Sequence, residues 1–301
     1  MRLPAIMVAA ILVASPANAA ELTGTLQKIK ETNRVVLGIQ EASVPFSYLD
    51  GDQKVIGYAV DICLRIVDAV KQELKLSSLN VETSPVTSSN RIPLMMNGTV
   101  DLVCSSTTNN AERQRQVSFT NSHFLSATRF AARKADNITA IDGLKGKPVV
   151  AISGSTNMVQ LNQANTTRNL GVTVLAAKDQ AEAFLMLETG RAAAYVLDDV
   201  QLAVAIARSK DPSAYIISEE TLSKAEPYGI MLRKDDTPFK AVVDRATASL
   251  YRSPEIEVIY RKWFESPVPP NGLNFRTPMT AVLRGAFANP SDSADPASYE
   301  R

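Results

Sequence analysis

The sequence predicts an α/β protein of two similar lobes joined by two crossings of the chain. Three observations predict it. At 301 residues the chain exceeds one typical core, so two domains of about 100–150 residues are expected. A strand–helix–strand–helix–Gly–strand pattern occurs twice. Extended segments at Phe124–Arg133 and Tyr228–Arg233 bracket the second copy, as they would if it were inserted between halves of the first lobe.

The first copy opens with strand 35–40, Val-Val-Leu-Gly-Ile-Gln. A helix follows over about 60–74, with Cys63, Ile66, Val67, Val70 and Leu74 on one face and Arg65, Asp68, Lys71 and Glu73 on the other. Strand 81–86, a short helix near 90–97, the stop residue Gly98 and strand 100–105 complete it. The second copy has strand 148–153, a helix near 158–163, strand 172–176, a helix over 181–189 stopped by Gly190, and strand 193–197. Asp179 with Glu182, and Asn109 with Glu112, have capping-pair spacing. Apolar strands alternating with helices indicate parallel sheets covered on both faces. Helices over 239–251 and 254–264 return to the first lobe, with a shorter one near 279–287. The expected divisions are a leader at 1–19, lobe 1 at 20–126 plus 231–288, lobe 2 at 127–230, and a mobile tail at 289–301, rich in Pro, Ser, Ala and Asp.

The leader is expected from Arg2, the apolar run Leu3 to Val13, and Ala17-Asn18-Ala19, an A-x-A cleavage signal. The run is too short to span a bilayer comfortably, so an exported chain is expected. Export permits disulfides, and Cys63 and Cys104 both face the core. A bridge between them and two buried thiols are both open. Removal of the leader takes Arg2 with it, leaving 31 basic residues against 31 acidic. That balance argues against nucleic acid as a partner. One histidine excludes a multi-His metal site, and no metal or cofactor is expected. The segment 143–148 lacks P-loop spacing, 153–156 is not a nucleophile elbow, and C-x-x-C and H-E-x-x-H are absent. His123 reads as a hydrogen-bonded loop or rim residue rather than a catalytic one.

In open parallel sheets ligands bind beyond the carboxyl ends of the strands. That rule selects Gln40; Ser88 and Arg91; Ser106, Thr107 and Thr108; Ser153 to Thr156; Asp179 and Gln180; and Asp198 and Asp199. The set suits a small zwitterion. A guanidinium fork such as Arg113, just past the third strand, would hold a carboxylate. Thr108 and Thr156 would add hydroxyls, and Asp198 would accept from an ammonium. Each of these also has a plainer reading. Arg113 lies in a polar, solvated-looking segment, Arg91 reads on pattern alone as a surface helix residue, and Asp198-Asp199 would cap the next helix.

The sequence resembles the amino-acid solute-binding proteins of ABC importers, specifically the glutamate/aspartate-binding group. The matching phrases are Ser43-Val44-Pro45-Phe46-Ser47-Tyr48, Gly57-Tyr58 with Asp61, and Thr87-Ser88-Ser89-Asn90-Arg91-Ile92-Pro93-Leu94. They continue with Ser106-Thr107-Thr108-Asn109-Asn110, Glu112-Arg113-Gln114, Gly190-Arg191-Ala192, Asp198-Asp199, Tyr228-Gly229 and Lys262-Trp263-Phe264. The resemblance implies the bilobed periplasmic-binding-protein type II fold, with two α/β lobes on a two-strand hinge. It implies a monomeric, non-enzymatic, periplasmic receptor that captures an L-amino acid and delivers it to ABC importer permease subunits in the inner membrane. It further implies Arg113, Thr108 and Thr156 for the ligand α-carboxylate, Ser106 and Asp198 for the α-ammonium, and Ser88 and Arg91 for the side chain.

The sequence departs from the group at two pocket positions. Gln40 stands where its members carry Arg, and Gln180 where they carry His. A glutamine both donates and accepts, so it suits an amide as well as a carboxylate. Glutamate or aspartate remains the expected ligand because Arg91 and Ser88 are intact, with glutamine or asparagine as the competitor. A dehydratase acting on a small carboxylate is the alternative function, and a ligand-sensing role for a membrane receptor a further one.

Overall fold

The computed structural model describes residues 22–300. The expected leader at 1–19 lies outside them.

The two copies of the repeat form two sheets with the same strand order. In the first, Arg34–Ile39 runs parallel to Asn80–Pro85 on one side and to Leu102–Cys104 on the other, with Met231–Arg233 and then Val117–Phe119 beyond. In the second, Pro148–Ile152 runs parallel to Thr173–Ala177 and Ala194–Asp198, with Thr128–Arg133 and Tyr215–Ile217 beyond. The expectation of parallel sheets needs correction, because both are mixed. Met231–Arg233 and Thr128–Arg133 arrive directly from a crossing, run against their neighbours and pair antiparallel. The crossings themselves pair as a two-stranded hinge, Phe124–Ser126 against Glu226–Tyr228.

Alternation along each central strand assigns opposite faces to separate cores. Leu37 and Ile39 join one cluster while Val36 joins another. In the second lobe Val149 and Ala151 pack on one face, and Val150 and Ile152 on the other. Helix Tyr58–Glu73 buries Ile62, Cys63, Ile66, Val67 and Val70, the face its periodicity marks. Cys63 is bonded to Cys104 through sulfur, tying this helix to strand Leu102–Cys104 across a sequence separation of 41. Gly98 and Gly190 each follow a helix with φ +78°, a conformation that favours glycine.

Several elements differ from expectation. Helix Gly24–Thr32 and strand Tyr215–Ile217 extend the predicted set, and Asp199–Ala207 is the helix that Asp198-Asp199 would precede, without bounds from the sequence. Capping near residue 110 falls one residue later than the Asn109–Glu112 spacing suggests, with Asn110 Oδ1 accepting from Arg113 N at 2.9 Å. The expected mobile tail is docked instead. Ser291 O accepts from Ser122 N at 2.8 Å, and Asp292 O accepts from Asn109 and Gln114 side chains, each at 2.9 Å. Tyr299 is buried with its hydroxyl 2.7 Å from Ser122 Oγ. Composition registered the polar residues but not the partners that lobe 1 offers them.

Candidate functional site

Strand ends from both sheets converge on one small cavity between the lobes. Its walls hold Gln40, Ser88, Arg91, Ser106 and Thr108 from one side and Thr156, Gln180 and Asp198 from the other. These are eight of the nine expected ligand-binding residues. The ninth, Arg113, is buried close by and donates to Thr108 O at 2.9 Å and across the cleft to Gly154 O at 3.4 Å. The cavity encloses about 20 Å³, room for little more than a water, so a ligand enters only when the lobes part.

Direct hydrogen bonds hold the cleft shut. Thr108 Oγ1 and Thr156 Oγ1 are 3.1 Å apart. Ser89 Oγ donates to Ser153 O at 3.0 Å. Gln201 Nε2 donates to Ser43 Oγ at 2.8 Å and to Ser106 Oγ at 3.1 Å, and Gln180 Nε2 donates to Ser43 Oγ at 3.2 Å. Gln201, Ser43 and Asn157 were missed by the strand-end rule. Ser43 lies in a loop strand outside the main sheet, and Gln201 lies inside the nearly all-apolar helix Asp199–Ala207, where its single amide was the only signal.

Asp198 occupies the helix N-cap position, yet its side chain makes no capping bond. Its carboxylate instead accepts from Asn157 Nδ2 at 2.9 Å, from Thr128 Oγ1 at 3.3 Å and from the Tyr228 hydroxyl. Burial pushes the carboxyl pKa up, and the Tyr228, Asn157 and Thr128 donors oppose that shift. Arg91 and Arg113 are buried despite their polar sequence context, so the solvated-face reading of both is overturned. Burial lowers the pKa of each. For Arg91 the nearby Arg113 charge adds to this, and Asp198 works against it for both. Arg91 donates to Thr107 Oγ1 at 3.0 Å, while its Nε is buried without a partner. Gln40 Oε1 is likewise buried and unpartnered. Glu226, half-buried and held by Gln160 at 2.8 Å, lies near Arg113 but off the cavity wall. Burial pushes its carboxyl up to about 6.

His123 is not a rim residue. It is fully buried among Phe46, Tyr58 and Tyr228, with ring centroids 5.8–6.3 Å away, and neither ring nitrogen reaches solvent. Among the described residues no cluster of His, Cys, Asp and Glu has metal-binding geometry.

The family model for bacterial extracellular solute-binding proteins, family 3, matches residues 35–266, a span that runs through both lobes and every cavity residue named above. The chain belongs to that family. Within the solute-binding proteins it is 46% identical over 288 residues to the L-glutamate/L-aspartate-binding protein of Pseudomonas aeruginosa, covering 95% of each chain. It is 43% identical over 270 residues to the glutamate/aspartate import solute-binding protein of Escherichia coli, covering 90% of this chain and 89% of that one. A solved ancestral arginine-binding protein bound to arginine superposes with a TM-score of 0.69 at 28% identity, covering 77% of this chain and 98% of the other. The family and these structures share the periplasmic-binding-protein type II fold, so the two sheets and paired hinge strands are the lobes of a solute-binding protein.

Proposed function

We propose that this protein is an exported receptor that closes on L-glutamate or L-aspartate in the periplasm and delivers it to an ABC importer. The placement of Arg91 on the cavity wall carries this reading. Arg113 is offset by the carboxylates Glu226 and Asp198, whereas Asp198 is the one carboxylate among the described residues that offsets Arg91, and the Arg113 charge works against it. An ionised ligand side chain supplies the negative charge that Arg91 lacks, and a neutral amide does not. Arg113, Thr108 and Thr156 take the α-carboxylate, Asp198 and Ser106 the ammonium, and Arg91 with Ser88 the side-chain carboxylate, for which the unpartnered Arg91 Nε is the open donor. The relatives named above are binding proteins for these ligands, the Escherichia coli one by name for import. Lobe 1 then comprises 20–126 with 231–288 and lobe 2 comprises 127–230, with the hinge strands at the crossings. A dehydratase is not favoured, because the carboxylate it would use, Asp198, is already held by three donors.

One observation favours the amides. Gln40 Oε1 is a buried acceptor without a donor, which a glutamine or asparagine side chain would satisfy. Calorimetric titration of ligand-stripped protein with Glu, Asp, Gln and Asn decides. An acid should bind about tenfold or more tighter than its amide, given about 1.5–3 kcal/mol for a charged hydrogen bond. Arg91→Ala should erase that preference, while Arg113→Ala weakens all four. Failure of all four to bind refutes the reading, and amide preference transfers it to the competitor.

A further inference from the structure

We propose that Gln180 is a gate that sets the length of ligand the cleft accepts, and that the groove behind it is a subsite for side-chain-substituted glutamates such as γ-glutamyl alkylamides. This rests on the glutamate-site reading above and deepens it.

Three cavities lie in a row at the cleft. The inner one is the candidate site, of about 20 Å³. The second encloses about 60 Å³ and shares Gln40, Ile152 and Gln180 with the first. The third is an open groove of about 500 Å³ that shares Glu41, Ala42 and Gln180 with the second. Gln180 is the one described residue on the walls of all three. Its backbone is fixed at the start of helix Gln180–Glu188, where Asp179 caps the helix by accepting from Glu182 N at 2.9 Å. Its side chain is held more lightly, by the 3.2 Å hydrogen bond to Ser43 Oγ. Rotation of that side chain joins the inner cavity to the groove without moving the backbone.

The groove indicates the chemistry of what would extend into it. Val44, Leu49, Phe184 and Val204 line it, with Arg208 and Glu188 among its charged residues. An apolar N-alkyl tail on the side-chain amide would pass Gln180 and lie on Phe184, leaving the α-amino and α-carboxyl groups on Asp198 and Arg113. With Gln180 in place such a tail meets the amide and is rejected.

The test compares glutamine with γ-glutamyl-n-butylamide by calorimetry. Both have uncharged side chains and differ only in the tail, and glutamate is titrated in parallel. Wild-type protein should bind glutamine about tenfold or more tighter than the butylamide. In Gln180→Ala the two affinities should converge. Gln180→Asn and Ser43→Ala should shift the ratio in the same direction by less, since one shortens the gate and the other releases it. Adding Phe184→Ala to Gln180→Ala should remove the gain for the butylamide alone. An unchanged ratio in Gln180→Ala with glutamate still bound overturns the gate. Absence of glutamate binding by the wild-type protein overturns the parent reading instead.

Discussion

His123 shows how far a single residue departs from its sequence context. Flanked by Ser122 and Phe124, it reads as a loop residue, yet the fold seals its ring in an aromatic cluster. Burial lowers its pKa from 6.5 to about 3. The folded state therefore needs it neutral, while the unfolded chain takes up a proton as pH falls below about 6.5. Stability from this residue is present above 6.5 and is lost as pH falls toward 3, at about 1.4 kcal/mol per unit. Between pH 7 and pH 5 the wild-type protein should lose about 2 kcal/mol through His123 alone. His123→Phe, which keeps an aromatic ring, should flatten that part of the profile. Urea unfolding at the two pH values measures it, and equal slopes for both proteins would remove His123 as the cause. Asp198 teaches the complementary lesson. Its place at a strand end was legible, but its three donors come from Thr128, Asn157 and Tyr228, which are distant in sequence.

Among elements, those with a clean apolar period were readable and those without were not. Helix Tyr58–Glu73 presents one buried stripe and was found almost to its ends. Helix Asp199–Ala207 is apolar on nearly every face because it packs toward both lobes: Val200 and Val204 join the core of the first, and Leu202 that of the second. Such a helix has no stripe to detect, and only the Asp198-Asp199 pair at its start signalled it. Strand Tyr215–Ile217 is three residues long and half-buried, too short for alternation to register. The Cys63–Cys104 bond links a helix and a strand whose core-facing sides were legible, but the sequence left their pairing open because it contains no distances. Closing a loop of this length should add about 4 kcal/mol to stability by the chain-entropy estimate. The Cys63→Ala/Cys104→Ala variant should lose up to that much, measured by urea unfolding. It should keep its ligand affinity at 25 °C, because neither sulfur lines the cavity. A variant as stable as wild type would show that the bridge adds nothing the core does not already supply.

At the scale of the whole molecule, function depends on two lobes meeting. Gly154 marks where they touch. It has φ +75°, and a Cβ there would lie 2.7 Å from Ser89 Cα, across the cleft. Gly154→Ala should therefore wedge the lobes apart and weaken binding of every ligand about tenfold or more, since contacts made only on closure are lost. Gly171→Ala is the control. Its φ of +59° carries similar backbone strain, but nothing lies within 4 Å of the added carbon. Small-angle scattering with saturating ligand should show Gly154→Ala remaining extended while Gly171→Ala closes. Equal affinities for the two variants would mean that strain, not collision, explains any loss.

The sequence by itself determined the repeat, the lobes it builds, the double crossing and the strand ends that carry polar residues. These follow from local periodicity and from the rule that parallel strands place their ligand-facing ends together. Tertiary structure decided the rest. It made Arg91 and Arg113 buried charges, gave Asp198 its donors, docked the tail, and brought Ser43, Gln180 and Gln201 into one contact across the cleft. Burial and cross-lobe distance depend on residues from 30 to more than 150 positions apart, and no local pattern in the chain encodes them.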